Sequence, residues 1–358
     1  MVLKERGGFM KGLVKYALGS EGVELRTLPE PVPKDGELKV KVLAAGICNS
    51  DVHAIRDERS VTMPVVMGHE YVGEVTETRG DVGPFKVGDW VVTLPACYSC
   101  GECYLCKAGY VTLCKERKSI GSHVDGAMAN YVVVPAKYTF KVPERAKTRE
   151  QKIEYALAEP LACMVRGVYE KIDVREGDVV VISGPGTMGL MALQLFKTRG
   201  AYVIMSGLPV DAEKLADARK LGADECVTSF EDLEKAVYAK NPKGADITCD
   251  CTGVAPALEN CMKVIRPMGT HLQIGLFGGK VPFRLDYMFD REVNYIPSNS
   301  SAVSSWKIAL RLLEEGKVSL SPLISKRFPL DEWKKGLDAV LSKTAYKVIL
   351  IPDNEFDI

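Results

Sequence analysis

Three side chains raise the first chemical question: the thiol of Cys48, the imidazole of His69 and the carboxylate of Glu70. They lie in Gly46-Ile-Cys-Asn-Ser-Asp-Val-His53 and in Gly68-His-Glu70. Thiolate, imidazole and carboxylate together make a zinc ligand set, and three protein ligands leave a position open for water or substrate. Cys48 and His69 are separated by enough chain to come from two different loops or strand ends, which fits a catalytic zinc better than a small closed clip. Each residue alone has a plainer reading. A lone Cys is usually a small buried apolar residue, and a lone His a satisfied core residue.

The densest signal is Cys100-x2-Cys103-x2-Cys106-x7-Cys114. Four thiolates at this spacing suit a closed tetrahedral zinc, with Gly101 and Gly109 allowing the turns between ligands. An iron–sulfur cluster is the competing reading, but the Cys-Pro sequence typical of bacterial ferredoxins is absent. Four thiolates leave no open position, so this zinc would be structural. Cys97, just ahead of the group, has no assigned role.

A third constellation begins with the apolar run Asp178–Ser183, which leads into Gly184-Pro-Gly-Thr-Met-Gly189 and then an apolar-periodic helix, Leu190–Phe196. A glycine pattern between a strand and a helix is the context that a dinucleotide fingerprint requires. Gly184 makes the tight turn, Gly186 admits the pyrophosphate, and Gly189 allows close helix–strand packing. Thr187 and Met188 complete the turn, and the helix N-terminus offers amide donors to phosphate. The next strand, Ala201–Gly207, ends in Ser206 and Gly207, where an NAD site would place an acid. Without that carboxylate nothing repels a 2′-phosphate, and Lys214 is the nearest plausible cation, so NADP is favoured over NAD. Asp211 comes late and is expected to cap a helix starting near Ala212.

The elements that must position these groups fall into two textures. Residues 10–150 carry short alternating β-branched runs, among them Leu38–Leu43, Gly73–Thr78, Asp89–Thr93 and Tyr131–Val134, punctuated by Gly and Pro. They predict a barrel-like β domain, with residues 1–9 as an extension ahead of it. After residue 165 strands alternate with helices, at Glu225–Thr228, Ala245–Cys249, Gly269–Ile274 and Val293–Ile296, which predicts a doubly wound parallel sheet. The expected divisions are 1–164 (with the metal lobe at about 97–114), 165–302, and 303–358. The last segment, with a helix near Trp306–Glu315 and a strand Lys347–Ile351, is expected to return to the first domain and leave the active site in a cleft between the two.

Bulk composition excludes several classes. The 358 residues hold 47 Lys plus Arg and 47 Asp plus Glu, so nothing points to capture of nucleic acid or of an acidic membrane. The first ten residues lack the apolar run of a signal peptide, and no stretch approaches the roughly 20 apolar residues of a membrane span. Eleven cysteines in such a chain point to metal or buried thiols rather than disulfides. A cytoplasmic protein is expected.

Taken together, Gly-Ile-Cys48-Asn-Ser-Asp, Gly-His69-Glu70-x-x-Gly73, the four-cysteine lobe, Ala158-Glu-Pro-Leu161 and Gly-Pro-Gly-Thr-Met-Gly189 resemble the zinc-dependent medium-chain dehydrogenase/reductase superfamily, nearest its polyol (sorbitol-type) members. The resemblance runs from Met10 to the C-terminal strand. It implies an α/β protein with a GroES-like β-barrel catalytic domain and a Rossmann cofactor domain, two zinc ions per chain, NADP or NAD, and a small alcohol or ketone substrate. A homodimer or homotetramer is also implied. Cys48, His69 and Glu70 carry over as catalytic zinc ligands, with Glu159 where relatives place a further ligand. One thiolate and one carboxylate neutralise the dication, whereas two carboxylates make a poorer Lewis acid, so Glu70 and Glu159 would alternate. Asp51 resembles the acid that orients His69. Ser50 and His53 resemble a proton relay running through cofactor hydroxyls to water. Met128, within Ser122–Tyr131, is implied to line the pocket. Two departures are Arg79, where a second glycine is usual, and Asn49, where polyol relatives commonly have glycine. The resemblance also admits an amino-alcohol (threonine-type) dehydrogenase, a zinc-free reductase of activated double bonds, or a non-catalytic nucleotide-binding relative. The last two would not be expected to keep the zinc ligands.

Overall fold

The computed structural model describes residues 8–343 and 345–352, and most of the expected N-terminal extension lies outside that range. The chain forms two compact units. The first comprises Met1–Glu159, Ala302–Glu314 and Ser319–Ile358, and the second Pro160–Ser301 and Glu315–Val318.

In the first unit the alternating runs become a seven-stranded sheet. Its order is Ile324–Pro329, Lys347–Ile351, Glu37–Gly46, Glu70–Arg79, Trp90–Thr93 and Thr139–Lys141, with Tyr131–Pro135 also paired to Glu37–Gly46. All of these pairs are antiparallel except the first. A smaller sheet joins Phe9–Lys15 to Val23–Pro29 and Val65–Val66. Long strands such as Glu37–Gly46 are buried along most of their length, as expected where β-branched residues pack on both faces of a pleat. Arg79 ends its strand harmlessly, because Gly80 takes the turn with φ 66°.

The short helix Asn49–Ile55 follows directly from the strand Glu37–Gly46 and carries four of the polar residues singled out above. Its C-terminal end is held by Lys15, a fully buried lysine whose Nζ donates to the carbonyls of Gly19 (2.9 Å) and Ile55 (3.2 Å) and pairs with Asp57 at 2.8 Å. A cation at that end also complements the helix dipole.

The second unit is built on a six-stranded parallel sheet. Its strands run Glu225–Val227, Tyr202–Ser206, Val179–Ser183, Ala245–Asp250, Ile265–Gln273 and Asn294–Pro297. Counted within the unit this is the order 3-2-1-4-5-6, whose direction of winding reverses between Val179–Ser183 and Ala245–Asp250. The central strand Val179–Ser183 is buried throughout, which is why it reads as a continuous apolar run. The intervening helices include Thr187–Thr198, Ala212–Lys220, Phe230–Lys240 and Ala255–Val264.

No described helix is long and apolar enough to cross a membrane. The returning helix Val303–Glu314 seats Trp306 in the core of the first unit, where its ring stacks on Phe140 at 5.4 Å. Trp306→Ala should therefore cost about 3–5 kcal/mol of stability, read as a lower denaturation midpoint. A midpoint within error of the wild type would show that this return is not seated by that stack.

Candidate active site

Cys48 occupies the N-cap of the helix Asn49–Ile55, and His69 immediately precedes the strand Glu70–Arg79. Register places Glu70 opposite Gly46, so the two polar stretches are neighbours across one sheet. Ligand atoms of Cys48, His69 and Glu70 all lie within 4.8 Å of one another. Gly46 is there for a steric reason. A Cβ at that position would stand 2.3 Å from Glu70 Oε2.

Asp51, buried in the first turn of the helix, does two jobs. Its Oδ2 accepts from the Cys48 N–H at 2.9 Å, and its Oδ1 faces His69 Nδ1 at 3.5 Å. A carboxylate behind Nδ1 holds the proton there and leaves the Nε2 lone pair for a metal. Burial disfavours charge on His69, but Asp51 and then Cys48 outweigh it, so its pKa is raised well above the usual value. The local potential therefore favours a cation. Ser50 Oγ lies 3.3 Å from His69 Nε2. His53, three residues on and so on the same side of the helix, is half exposed and bonded through Nδ1 to Glu58 at 2.5 Å.

The residue that the sequence did not reveal is Lys347. It opens the C-terminal strand, is buried, and donates to both Glu70 oxygens, 2.6 Å from Oε2. Its burial opposes charge, but Glu70, Cys48 and Glu159 more than compensate and raise its pKa. Glu159, half-buried in the first turn of Ala158–Val165, thus shares the electrostatic neighbourhood of Cys48 and Glu70, although it is not one of the three converging donors. Met128 is buried, with Cγ packed over Gly68, the residue before His69.

The four lobe cysteines converge separately, with all sulfurs within 4.8 Å. Cys100 Sγ is 3.9 Å from Cys106 Sγ and 3.6 Å from Cys114 Sγ. A tetrahedron of Zn–S bonds of about 2.3 Å has edges of roughly 3.8 Å, so the donors fit a closed zinc. Cys97 stands apart as a buried thiol, pushed up to about 12 by burial.

In the second unit the helix begins at Thr187, so Thr187, Met188 and Gly189 form its first turn rather than preceding it. Gly184 takes φ 98°, and a Cβ on Gly189 would stand 1.9 Å from Gly184 O. A Cβ on Gly186 would meet nothing within 4 Å, leaving bare backbone beside the helix N-terminus for a phosphate to approach. Behind the turn lies a network that sequence reading also missed. Asp250, wholly buried, accepts from Thr252 N–H and Oγ1 (2.8 and 2.6 Å) and from Gln273 Nε2 (2.7 Å). Gln273 in turn reaches His271, which bonds Thr248. Thr252 is thereby held against Gly184, whose missing Cβ would stand 2.6 Å from Thr252 Cγ2.

Ser206 and Gly207 end their strand side by side with Ser183 and Val227. Asp211 takes the N-cap position of the helix Ala212–Lys220, as expected, but its side chain makes no cap bond there. Its carboxylate accepts from Leu208 N–H at 3.0 Å, at the head of the short turn Pro209–Asp211, and lies 3.6 Å from Lys214 Nζ.

A family model described as alcohol dehydrogenase GroES-like domain matches residues 34–144, and one described as zinc-binding dehydrogenase matches residues 187–315. The chain is 39% identical over 345 residues to D-arabitol-phosphate dehydrogenase of Enterococcus avium, covering 95% of this chain and 97% of that one. It is 34% identical over 346 residues to sorbitol dehydrogenase of Halalkalibacterium halodurans, covering 96% and 99%. A Sinorhizobium meliloti 1021 protein described as a zinc-binding dehydrogenase, solved bound to NADP, superposes with a TM-score of 0.85 at 31% identity, over 96% of this chain and 100% of that one.

Removing one partner of the buried Lys347–Glu70 pair should be costly. Lys347→Met is expected to lose about 3–5 kcal/mol, with much of it recovered in Lys347→Met combined with Glu70→Gln. Chemical denaturation of the three proteins checks this, and a Lys347→Met variant as stable as wild type would contradict the pairing.

Proposed function

The chain belongs to the zinc-dependent medium-chain dehydrogenase family, and on that premise we propose that it moves a hydride between NAD(P) and the secondary alcohol or ketone of a polyol, sugar or related small alcohol. The observation that carries this reading is the convergence of Cys48, His69 and Glu70, with Asp51 behind the imidazole. The similar dehydrogenases are named for a phosphorylated polyol and for a free one, so polyol chemistry is common to both.

Cys48 and His69 would hold zinc together with Glu70 or Glu159, and the lobe cysteines Cys100, Cys103, Cys106 and Cys114 a second, structural zinc. When bound, the catalytic zinc supplies the Lewis acidity that lowers an alcohol's pKa, and the dinucleotide supplies the hydride acceptor. The protein's own residues do the rest. Asp51 fixes the ring of His69 so that Nε2 faces the ligand position. Ser50 Oγ, 3.3 Å from that nitrogen, takes the hydroxyl proton as the carbinol is oxidised. From Ser50 the proton would travel through the cofactor hydroxyls to the exposed His53, and from there to water, with Glu58 steadying the ring.

Gly184, Gly186, Thr187, Met188 and Gly189 cradle the pyrophosphate. At the ribose, Ser206 and Gly207 present no carboxylate, and Asp211 is already committed to Leu208 and Lys214. NADP is therefore the preferred cofactor, with Lys214 as the cation nearest a 2′-phosphate. The protein acts in the cytoplasm as a homo-oligomer.

Initial rates on polyols, sugars and hydroxy-amino acids, each with NAD and NADP, test the reading. Turnover of polyols is expected, and turnover of hydroxy-amino acids alone would replace it with a threonine-type activity. Cys48→Ser should abolish turnover while leaving dinucleotide binding nearly intact by fluorescence titration; an active, purified variant would remove the catalytic-zinc assignment. Gly207→Asp should shift the ratio of specificity constants toward NAD by about tenfold. Its new Cβ would stand 3.1 Å from Pro185 Cγ, so some loss of affinity for both dinucleotides should accompany the shift. An unchanged ratio would show that Gly207 does not set the preference.

A further inference from the structure

Two loops beside the metal-ligand residues gather positive charge. Arg59 follows the helix Asn49–Ile55, and the N–H groups of Glu58 and Arg59 both donate to His53 O, at 2.9 and 3.2 Å. The Glu58 carboxylate is occupied by His53. Arg117 and Lys118 leave the four-cysteine lobe together. Arg117 N–H bonds Cys114 O at 3.2 Å, and Lys118 exchanges backbone bonds with Tyr98 at 2.8 and 3.3 Å. His123 lies in the next turn, where Thr62 N–H donates to Ser122 O at 2.8 Å and so ties the loop of Arg59 to the loop of His123. The second loop is pinned beside His69, because Gly126 N–H donates to Val66 O at 2.8 Å and Ala127 N–H to Gly68 O at 2.9 Å.

Among the described residues, Arg59, Arg117 and Lys118 make no ion pair. Arg117 and Lys118 are exposed, but Arg59 and His123 are partly buried. Burial, then Arg117, Arg59 and Lys118, all oppose protonation of His123, so the cations are close enough to act on one imidazole. The ring is neutral, and its Nδ1 accepts from Ser119 N–H at 3.3 Å, which leaves Nε2–H as a donor. Glu58, Glu116 and Asp125 lie nearby in sequence but pair with none of these cations, and Asp125 instead accepts from Val66 N–H at 2.8 Å. Like charges without an ion-pair partner are relieved by an anion, and guanidinium and ammonium groups beside a neutral imidazole donor are a phosphate-binding set.

We propose that Arg59, Arg117, Lys118 and His123 form an anion subsite for the terminal phosphate of a phosphorylated polyol, so that the preferred substrate is a sugar-alcohol phosphate monoester. This rests on the polyol-dehydrogenase reading above. The phosphate ester bond is neither made nor broken. Oxidation takes place at a secondary carbinol of the same molecule, and the phosphate sets which carbinol is presented. The four-cysteine lobe gains a role as well, because the chain leaving Cys114 delivers Arg117 and Lys118 to the subsite.

The test compares D-arabitol 5-phosphate with D-arabitol, using the zinc-loaded enzyme with its dinucleotide. The wild type should favour the phosphate ester in kcat/KM by about tenfold or more, since hydrogen bonds to charged groups are the strong ones. In Arg59→Ala, and separately in Lys118→Ala, that ratio should fall by about tenfold, mainly through KM for the ester. Arg59→Lys should keep most of it, and added salt should erode it in the wild type. Equal specificity for the two substrates, or equal losses on both in the alanine variants, would overturn the subsite. If neither compound is oxidised, the polyol reading fails, and calorimetric binding of inorganic phosphate still decides the subsite. Binding weakened in Arg59→Ala supports it, and absence of binding to the wild type overturns it.

Discussion

A lysine buried against a carboxylate, beside a thiolate and a second carboxylate, is the interaction from which the catalytic region can be understood. Buried ion pairs are poor sources of stability, because desolvation consumes most of the Coulomb gain. The pairing of Lys347 with Glu70 is better explained by charge balance. A dication facing Cys48, Glu70 and Glu159 would sit among three anionic groups, and each added anion makes it a weaker Lewis acid. With Lys347 included, the charges cancel. Two carboxylates can then stand near one metal without making the site anionic, and the choice between them becomes one of geometry rather than of charge.

That pairing also constrains the backbone. Lys347 must come from a strand lying against the segment that leads to Cys48, and it does: Ile349 pairs with Gly46, and Ile47 N–H donates to Val348 O at 3.0 Å. The end of the chain is therefore part of the first unit, which explains why that unit is discontinuous in sequence. Gly46 is fixed by the same demand, since Glu70 lies across it on the way to Lys347. Asp51 completes the arrangement from the other side, joining the Cys48 backbone to the His69 ring.

The legibility of these features in sequence depended on how local their physics is. The glycine turn at Gly184–Gly189 and the four-cysteine lobe were readable because all their constraints lie within a few residues. The strand runs were readable from alternation, most ends within a residue, but Gly73–Thr78 and Gly269–Ile274 begin three and four residues earlier, at Glu70 and Ile265, and Leu38–Leu43 runs three further, to Gly46. The helix after Gly186 began earlier than its apolar periodicity suggested, because its first turn carries Thr187 and Gly189 rather than large apolar residues. Lys347 was not readable. In Lys347-Val-Ile-Leu-Ile351 it looks like a polar residue at a strand end, and its partner is far away in sequence. The one available signal was a lysine opening a strand that is otherwise wholly apolar. Asp250 and His271 were missed for the same reason, since their bonds run between strands whose pairing only the folded sheet defines. Asp211 stands at the N-cap as its position suggests, but the short turn before it takes its carboxylate.

The two groups of ligand residues differ in what else holds them, and that difference accounts for their different chemistry. Cys48, His69 and Glu70 are set on a strand–helix junction and a strand end inside a packed core, so their positions are determined before any metal arrives. The lobe has less of it: Val111, Thr112 and Cys114 are buried, but the turn that carries Cys103 and Cys106 is not packed into a core. Its helix Tyr104–Lys107 buries no residue, and Tyr104 is 79% exposed. So little apolar burial in that turn does little to offset the entropy of ordering it. Four thiolates at mutual contact would moreover repel one another without a cation between them. A closed metal there would replace a hydrophobic core, whereas at Cys48 the core has already been built and a metal held by three ligands would keep a position free for substrate.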